Sequence, residues 1–140
     1  MNIKRLLLAI VVAFIFIFAT DFLIHAVWLK SDYAATKELW RPEAGMNARF
    51  PWMLGAQLLV AIAFVTIWAL GLAPRGSAGL GCAYGFLVGL IVQATTLITY
   101  VVSPLPLGIA LKWFASGLVQ SVLLGLVIAL VYKPSRPAVA

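Results

Sequence analysis

Leu6-Leu-Leu-Ala-Ile-Val-Val-Ala-Phe-Ile-Phe-Ile-Phe-Ala-Thr-Asp-Phe-Leu-Ile-His-Ala-Val-Trp-Leu29 holds 24 residues with a single acid, Asp21, and the only histidine of the chain, His25. At 1.5 Å per residue such a run reaches about 36 Å as a helix, enough for a tilted crossing of a bilayer. It follows Met1-Asn-Ile-Lys-Arg5, a start that resembles a secretory signal. The apolar run is too long for a signal and no convincing cleavage site follows, so it reads as a retained first span.

The rest of the chain repeats that pattern. Of 140 residues, 64% are hydrophobic and 10% charged. Soluble domains sit nearer half apolar and a quarter charged, and so small a chain cannot bury the excess away from water. Further spans read at Trp52–Leu72, Gly79–Val102 and Leu107–Val131, separated by Gly71, Pro74 and Gly76 and by Ser103-Pro-Leu-Pro106. The fold class is therefore an all-α, integral-membrane four-helix bundle forming one domain over residues 1–140. In the tail 132–140, Tyr132 and Lys133 are followed by a Pro-containing stretch that is expected to be disordered.

Residues 30–51 form the only sizeable polar loop. Ser31 is placed to cap a short amphipathic surface helix over Asp32–Trp40, ended by Arg41-Pro42. Tyr33 and Trp40 lie seven residues apart, which suits a helix on the membrane surface. With Arg41 they make a candidate interface loop, since aromatic and arginine side chains suit interface anchors.

Ten Lys+Arg against four acids give a net charge of +6. The basic residues are scattered through short connections, unlike the clustered cations that nucleic acid requires, so no nucleic acid is expected as a partner. They divide evenly between the two ends of the spans and so do not assign sidedness. The short basic start before a long apolar run favours both termini in the cytoplasm. One cysteine, Cys82, allows neither an intramolecular disulfide nor a thiolate cluster. One histidine falls short of a zinc or bis-histidine haem ligand set, so neither metal nor cofactor is expected.

Polar residues inside the spans are unevenly placed. Asp21, His25, Gln57, Thr95, Thr96, Thr99, Lys112 and Ser116 all map to the loop side, and the opposite half of every span is almost wholly apolar. Asp21 and His25 are four residues apart and so neighbours, about 12 Å from the far end of their span. Phe14, Phe18, Asp21, His25 and Trp28 share a helix face. A carboxylate at that depth is costly and marks a functional site by default. The more frequent reading is a structural network, in which Asp21 pairs with Lys112 at similar depth and His25 or Gln57 completes the hydrogen bonds. The dry half argues against an ion path through one copy, because a relay needs polar stations across the full thickness.

Small residues recur every four positions as Gly81, Gly85 and Gly89 in the third span and Gly117, Ser121, Gly125 and Ala129 in the fourth. Helices in lipid associate by close backbone packing at such stripes, so these two are expected to face each other, with a subunit contact as the alternative. Gly79-Leu-Gly81 is no dinucleotide fingerprint, since Tyr84 occupies the third glycine position.

The segment Tyr33-Ala-Ala-Thr-Lys-Glu-Leu-Trp-Arg-Pro-Glu-Ala-Gly-Met46, the run Tyr84-Gly-Phe-Leu87 and Pro104-Leu-Pro106 resemble a recurring pattern in small bacterial inner-membrane proteins of unknown function. The resemblance covers most of the chain. It implies four transmembrane helices and supplies no catalytic residue. The leading functional expectation is a non-enzymatic accessory or interaction subunit, docking a membrane-protein partner through the Asp32–Met46 loop and the polar layer. The alternative is a small oligomeric carrier or lipid- or small-molecule-binding protein using the layer Asp21, His25, Gln57, Thr96, Thr99 and Lys112.

Overall fold

The computed structural model describes residues 2–133 and is all-α. Four helices are long and apolar enough to cross a membrane: α1 (Ile3–Trp28), α4 (Phe50–Arg75), α5 (Ala78–Val102) and α6 (Leu107–Val131), with two short helices, α2 (Lys30–Ala35) and α3 (Glu43–Asn47), in the loop. The third and fourth spans fall where the sequence places them. The first two start a turn or less earlier.

Local chemistry sets the ends. The Asn2 side chain accepts the Arg5 N–H at 3.1 Å, and Ser77 Oγ accepts the Leu80 N–H at 3.1 Å, so each side chain satisfies one orphaned helix donor. Pro106 precedes α6, which leaves no N–H wasted at that position. The first span ends in a π turn, Phe22–Trp28, closed by the Leu29 N–H to the Ile24 carbonyl at 2.9 Å, and the second carries one at Trp68–Leu72 before a last 3-10 turn at Ala73–Arg75. A π turn widens the repeat, so the face inferred from 3.6-residue spacing breaks after Asp21. Trp28 is left 52% exposed and stands away from Phe14, which packs on the core.

The loop departs from expectation in its boundaries. Ser31 caps nothing, because the chain runs from α1 into α2 through buried Leu29, whose carbonyl accepts the Tyr33 N–H at 3.0 Å. The expected helix over Asp32–Trp40 stops at Ala35. Thr36 Oγ1 donates to the Asp32 carbonyl and accepts the Trp40 indole N–H, which turns the chain into a 3-10 turn at Lys37–Leu39. Past α6, Tyr132 is buried in the core and the Lys133 carbonyl accepts Arg5 Nη1 at 2.9 Å, while the Pro-containing tail expected to be disordered falls on the residues that follow. Residues 134–140 lie outside the described ones.

The most extensive interface joins α5 and α6, and α1 packs on α4 and, over less of its length, on α6. A Cβ on Gly81 would lie 2.5 Å from the Gly125 carbonyl oxygen, one on Gly85 would strike the Ser121 backbone, and one on Gly125 would strike Gly81. The obstructing atoms are backbone, so no rotamer change relieves them. The two stripes are therefore an intramolecular contact. Gly89 meets Ser121 and Leu118, and Gly117 gives room to the Gln93 amide.

At the end that holds the termini, Ala9, Ala13, Phe64, Trp68, Tyr84, Ile128 and Tyr132 close the bundle. Tyr84 Oη donates to the Phe64 carbonyl at 2.6 Å, joining α5 to α4 there. At the loop end a smaller cluster, Leu105, Ile109 and Ala110, packs against Tyr33, Trp40 and Trp113. We expect Gly85→Leu or Gly125→Leu to abolish cooperative thermal unfolding, followed by circular dichroism in micelles. Gly55→Ala, with open space around its Cβ, should be neutral or stabilising by about 0.5–1 kcal/mol.

Candidate functional site

Asp21 is the last α-helical residue before the first π turn and points between the four spans. Its Oδ2 accepts the Gln57 amide N–H at 2.6 Å, and its Oδ1 accepts the Gln120 amide N–H at 2.7 Å. Gln120 Nε2 also reaches Thr20 Oγ1 at 2.6 Å. The Thr20 hydroxyl gives its proton to the Phe16 carbonyl at 2.7 Å, so it receives from Gln120 with a lone pair. The direction of the whole network is thereby fixed, ending on the carboxylate. Hydrogen bonds to a charged group contribute about 1.5–3 kcal/mol each, against about 3 kcal/mol for placing an aspartate in a membrane helix. Two amides thus offset much of the cost of placing Asp21 within the span.

Lys112 is not its partner. Lys112 Nζ lies 2.8 Å from both carboxylate oxygens of Asp32, with the side chains 39% and 25% exposed, and this is the ion pair found among the described residues. The expected Asp21–Lys112 bridge is corrected for a geometric reason: α2 continues α1, which brings Asp32 over the start of α6. Lys112 Nζ also stands 5.8 Å from the Trp28 ring centroid, within cation–π range.

Gln57 is 7% exposed, and its second amide atom, Oε1, has no hydrogen-bond partner. A carboxylate only accepts, so the amide must turn its N–H to Asp21 and its oxygen away. Leaving such an acceptor dry costs about 1–3 kcal/mol. Gln57 lines a cavity of about 210 Å³ together with Asp21, Gln93, Gln120 and Ser121, walled by Phe64 and Leu124. A second recess, of about 180 Å³, places His25, Thr96, Trp113 and Ser116 beside Asp21. Thr96 Oγ1 donates to Gln93 Oε1 at 2.8 Å.

His25 is held from the loop. Trp113 Nε1 donates to Tyr33 Oη at 2.8 Å, and Tyr33 Oη stands 2.5 Å from His25 Nδ1. All three groups are satisfied when the phenol gives its proton to a neutral imidazole. Burial, reinforced by the Asp32 carboxylate and partly offset by the Trp113 N–H, raises the Tyr33 phenol above its ordinary value of 10, so it keeps that proton at neutral pH. The Tyr33 and Trp40 rings sit 5.2 Å apart and Trp40 and Trp113 6.0 Å, all against buried Leu105, Ile109 and Ala110. Tyr33 and Trp40 thus pack onto α6 instead of facing outward as anchors. Arg41 alone of the three is exposed.

The structure brings together Asp21, His25, Gln57 and Thr96. It leaves out Thr99, which is exposed and donates to the Thr95 carbonyl, and sends Lys112 to the rim. It adds Thr20, Gln93 and Gln120. Gln120 is conspicuous in sequence as a strongly polar residue deep in the fourth span, whereas Thr20 carries no signal, since a threonine bonded to its own helix is common in any span. Protein-family models, curated proteins and solved structures contain no match to this chain. Fold and site define it by class: a membrane helical bundle with an acceptor-rich cavity inside the loop half.

The Asp32–Lys112 and Asp21 clusters share no side chain, so their energetics should separate. In a double-mutant cycle by thermal unfolding, Asp32→Asn and Lys112→Met should couple by about 0.5–1 kcal/mol, discounted for solvent screening, whereas Asp21→Asn and Lys112→Met should be additive.

Proposed function

We propose that the protein is a multi-spanning protein of a bacterial inner membrane, with both termini cytoplasmic, that binds a small monovalent cation at Asp21. The membrane and its sidedness rest on the resemblance carried by Tyr33–Met46 and on the short basic start. The binding reading rests on one observation above the others: the buried, unpartnered Gln57 Oε1 on the wall of a cavity that also holds an unpaired carboxylate.

Both groups ask for a positive or proton-donating guest. Hydronium or an alkali ion supplies it and neutralises the site's single negative charge. One carboxylate and amide oxygens suit a hard monovalent ion and fall short of the charge that tight divalent binding draws on. Among the described residues no three His, Cys, Asp or Glu side chains gather as a transition-metal set would. The dry plug of Phe64, Trp68, Tyr84 and Ile128 beneath the cavity favours binding over conduction through one copy.

Thermal unfolding in nanodiscs at constant ionic strength, exchanging choline chloride for sodium or potassium chloride and repeating across pH, tests the proposal. A cation at ten times its Kd should stabilise the wild type by about 1.4 kcal/mol. Asp21→Asn should remove that response while the variant still unfolds cooperatively. A wild type whose midpoint responds to neither alkali cation nor pH would defeat it.

A further inference from the structure

A third recess, of about 830 Å³, lies outside the bundle where the loop crosses the start of α6. Tyr33, Trp40 and Trp113 form its aromatic floor, and Met46 and Pro42 continue the apolar lining. Lys30, Lys37 and Arg41 stand around it against one acid, Glu43, a net lining charge of +2 by three cations less one anion. Among the described residues none of these three cations is within ion-pair distance of a carboxylate, since Asp32 is taken by Lys112. The sequence places the loop between two spans, and so at the level of the headgroups on the side away from the termini.

We infer that this cleft is a binding site for an anionic phospholipid, the phosphate held by Lys37 and Arg41 with Lys30 and the adjoining glycerol and acyl ester lying over Trp40 and Trp113. Charge complementarity selects the occupant. An aromatic floor alone would suit a quaternary ammonium headgroup, which three rim cations would repel. Arginine offers a planar fork to phosphate oxygens and lysine a mobile point charge, and indole and phenol rings favour the boundary between headgroup and hydrocarbon. The floor is already rigid, because Trp113 is hydrogen-bonded to Tyr33 and Trp40 to Thr36, so ordering it on binding costs little. This site shares no lining residue with the cavity at Asp21, and its assignment does not rest on the cation reading.

The protein, reconstituted in nanodiscs of phosphatidylcholine with and without phosphatidylglycerol, is released into the gas phase and the retained lipids are weighed by native mass spectrometry. The wild type should retain one phosphatidylglycerol in preference to phosphatidylcholine. Lys37→Gln with Arg41→Gln should lower that preference roughly tenfold, since each basic side chain near a membrane adds its own share of attraction. Lys4→Gln with Arg5→Gln, at the opposite end of α1, should leave it unchanged. Both pairs are exposed, so folding is preserved. Equal retention of the two lipids by the wild type, retention of phosphatidylglycerol undiminished in the Lys37/Arg41 variant, or displacement by inorganic phosphate as readily as by lipid would each overturn the assignment.

Discussion

Backbone contact between α5 and α6 is the constraint on which the remaining architecture depends. In lipid no hydrophobic drive pushes two apolar helices together, so the association must come from close packing. Gly81, Gly85, Gly125 and Ser121 let the two backbones meet with no side chain between them. That contact is possible only over the length of the stripes. It ends at Gly117, where the Gln93 amide takes the space that a glycine of α5 would leave. Above that point the helices carry side chains on their facing surfaces. Below it, Tyr84 bridges to the Phe64 carbonyl and brings α4 in. Backbone-to-backbone contact is therefore confined to the half with the termini, and the polar residues occupy the other half.

The same geometry explains why Asp21 is tolerated. A carboxylate facing lipid would need to snorkel or be protonated. Here α4 and α6 each contribute one glutamine, at Gln57 and Gln120, from opposite sides. Each amide gives its N–H to the carboxylate. The cavity thus receives the carbonyl of Gln57 and becomes rich in acceptors. Holding the acid and creating the unpartnered oxygen are one event, since an amide cannot present both ends to the same carboxylate.

What the sequence made legible follows from how local each property is. Span positions and the two small-residue stripes depend on residues three or four apart in one helix, and the structure has them as read. The asymmetry between polar and dry halves depends only on depth, which residue count supplies. Pairing depends on azimuth as well. The π turn at Phe22–Trp28 rotates everything after Asp21, and the buried Leu29 carries the helix on into the loop. Both shift the carboxylate that reaches Lys112 from Asp21 to Asp32. Neither feature leaves a mark in composition, because phenylalanine, leucine and isoleucine fill α and π turns alike. Tyr33 and Trp40 misled for the opposite reason: their spacing fits a surface helix, and only the arrival of Trp113 from eighty residues away turns them inward.

The outer cleft and the cation cavity make opposite electrostatic demands and are linked by the small recess that shares Asp21, Gln93 and Gln120 with the cavity. Trp113 lines the outer cleft and also the recess beside Asp21, and Tyr33 in the cleft floor is bonded to His25 in that recess. Unpaired cations at the rim raise the potential around the cleft and disfavour a positive ion nearby, an effect that reaches about 8 Å at physiological salt and further in a low-dielectric surrounding. An anion seated among Lys30, Lys37 and Arg41 cancels that potential without touching Asp21. Coupling of this kind is reciprocal, so a cation inside would in turn change the hold on the outer anion by the same factor. Attraction across the Tyr33–Trp113 layer gives that factor its sign: opposite charges on the two sides of one aromatic wall favour each other's binding.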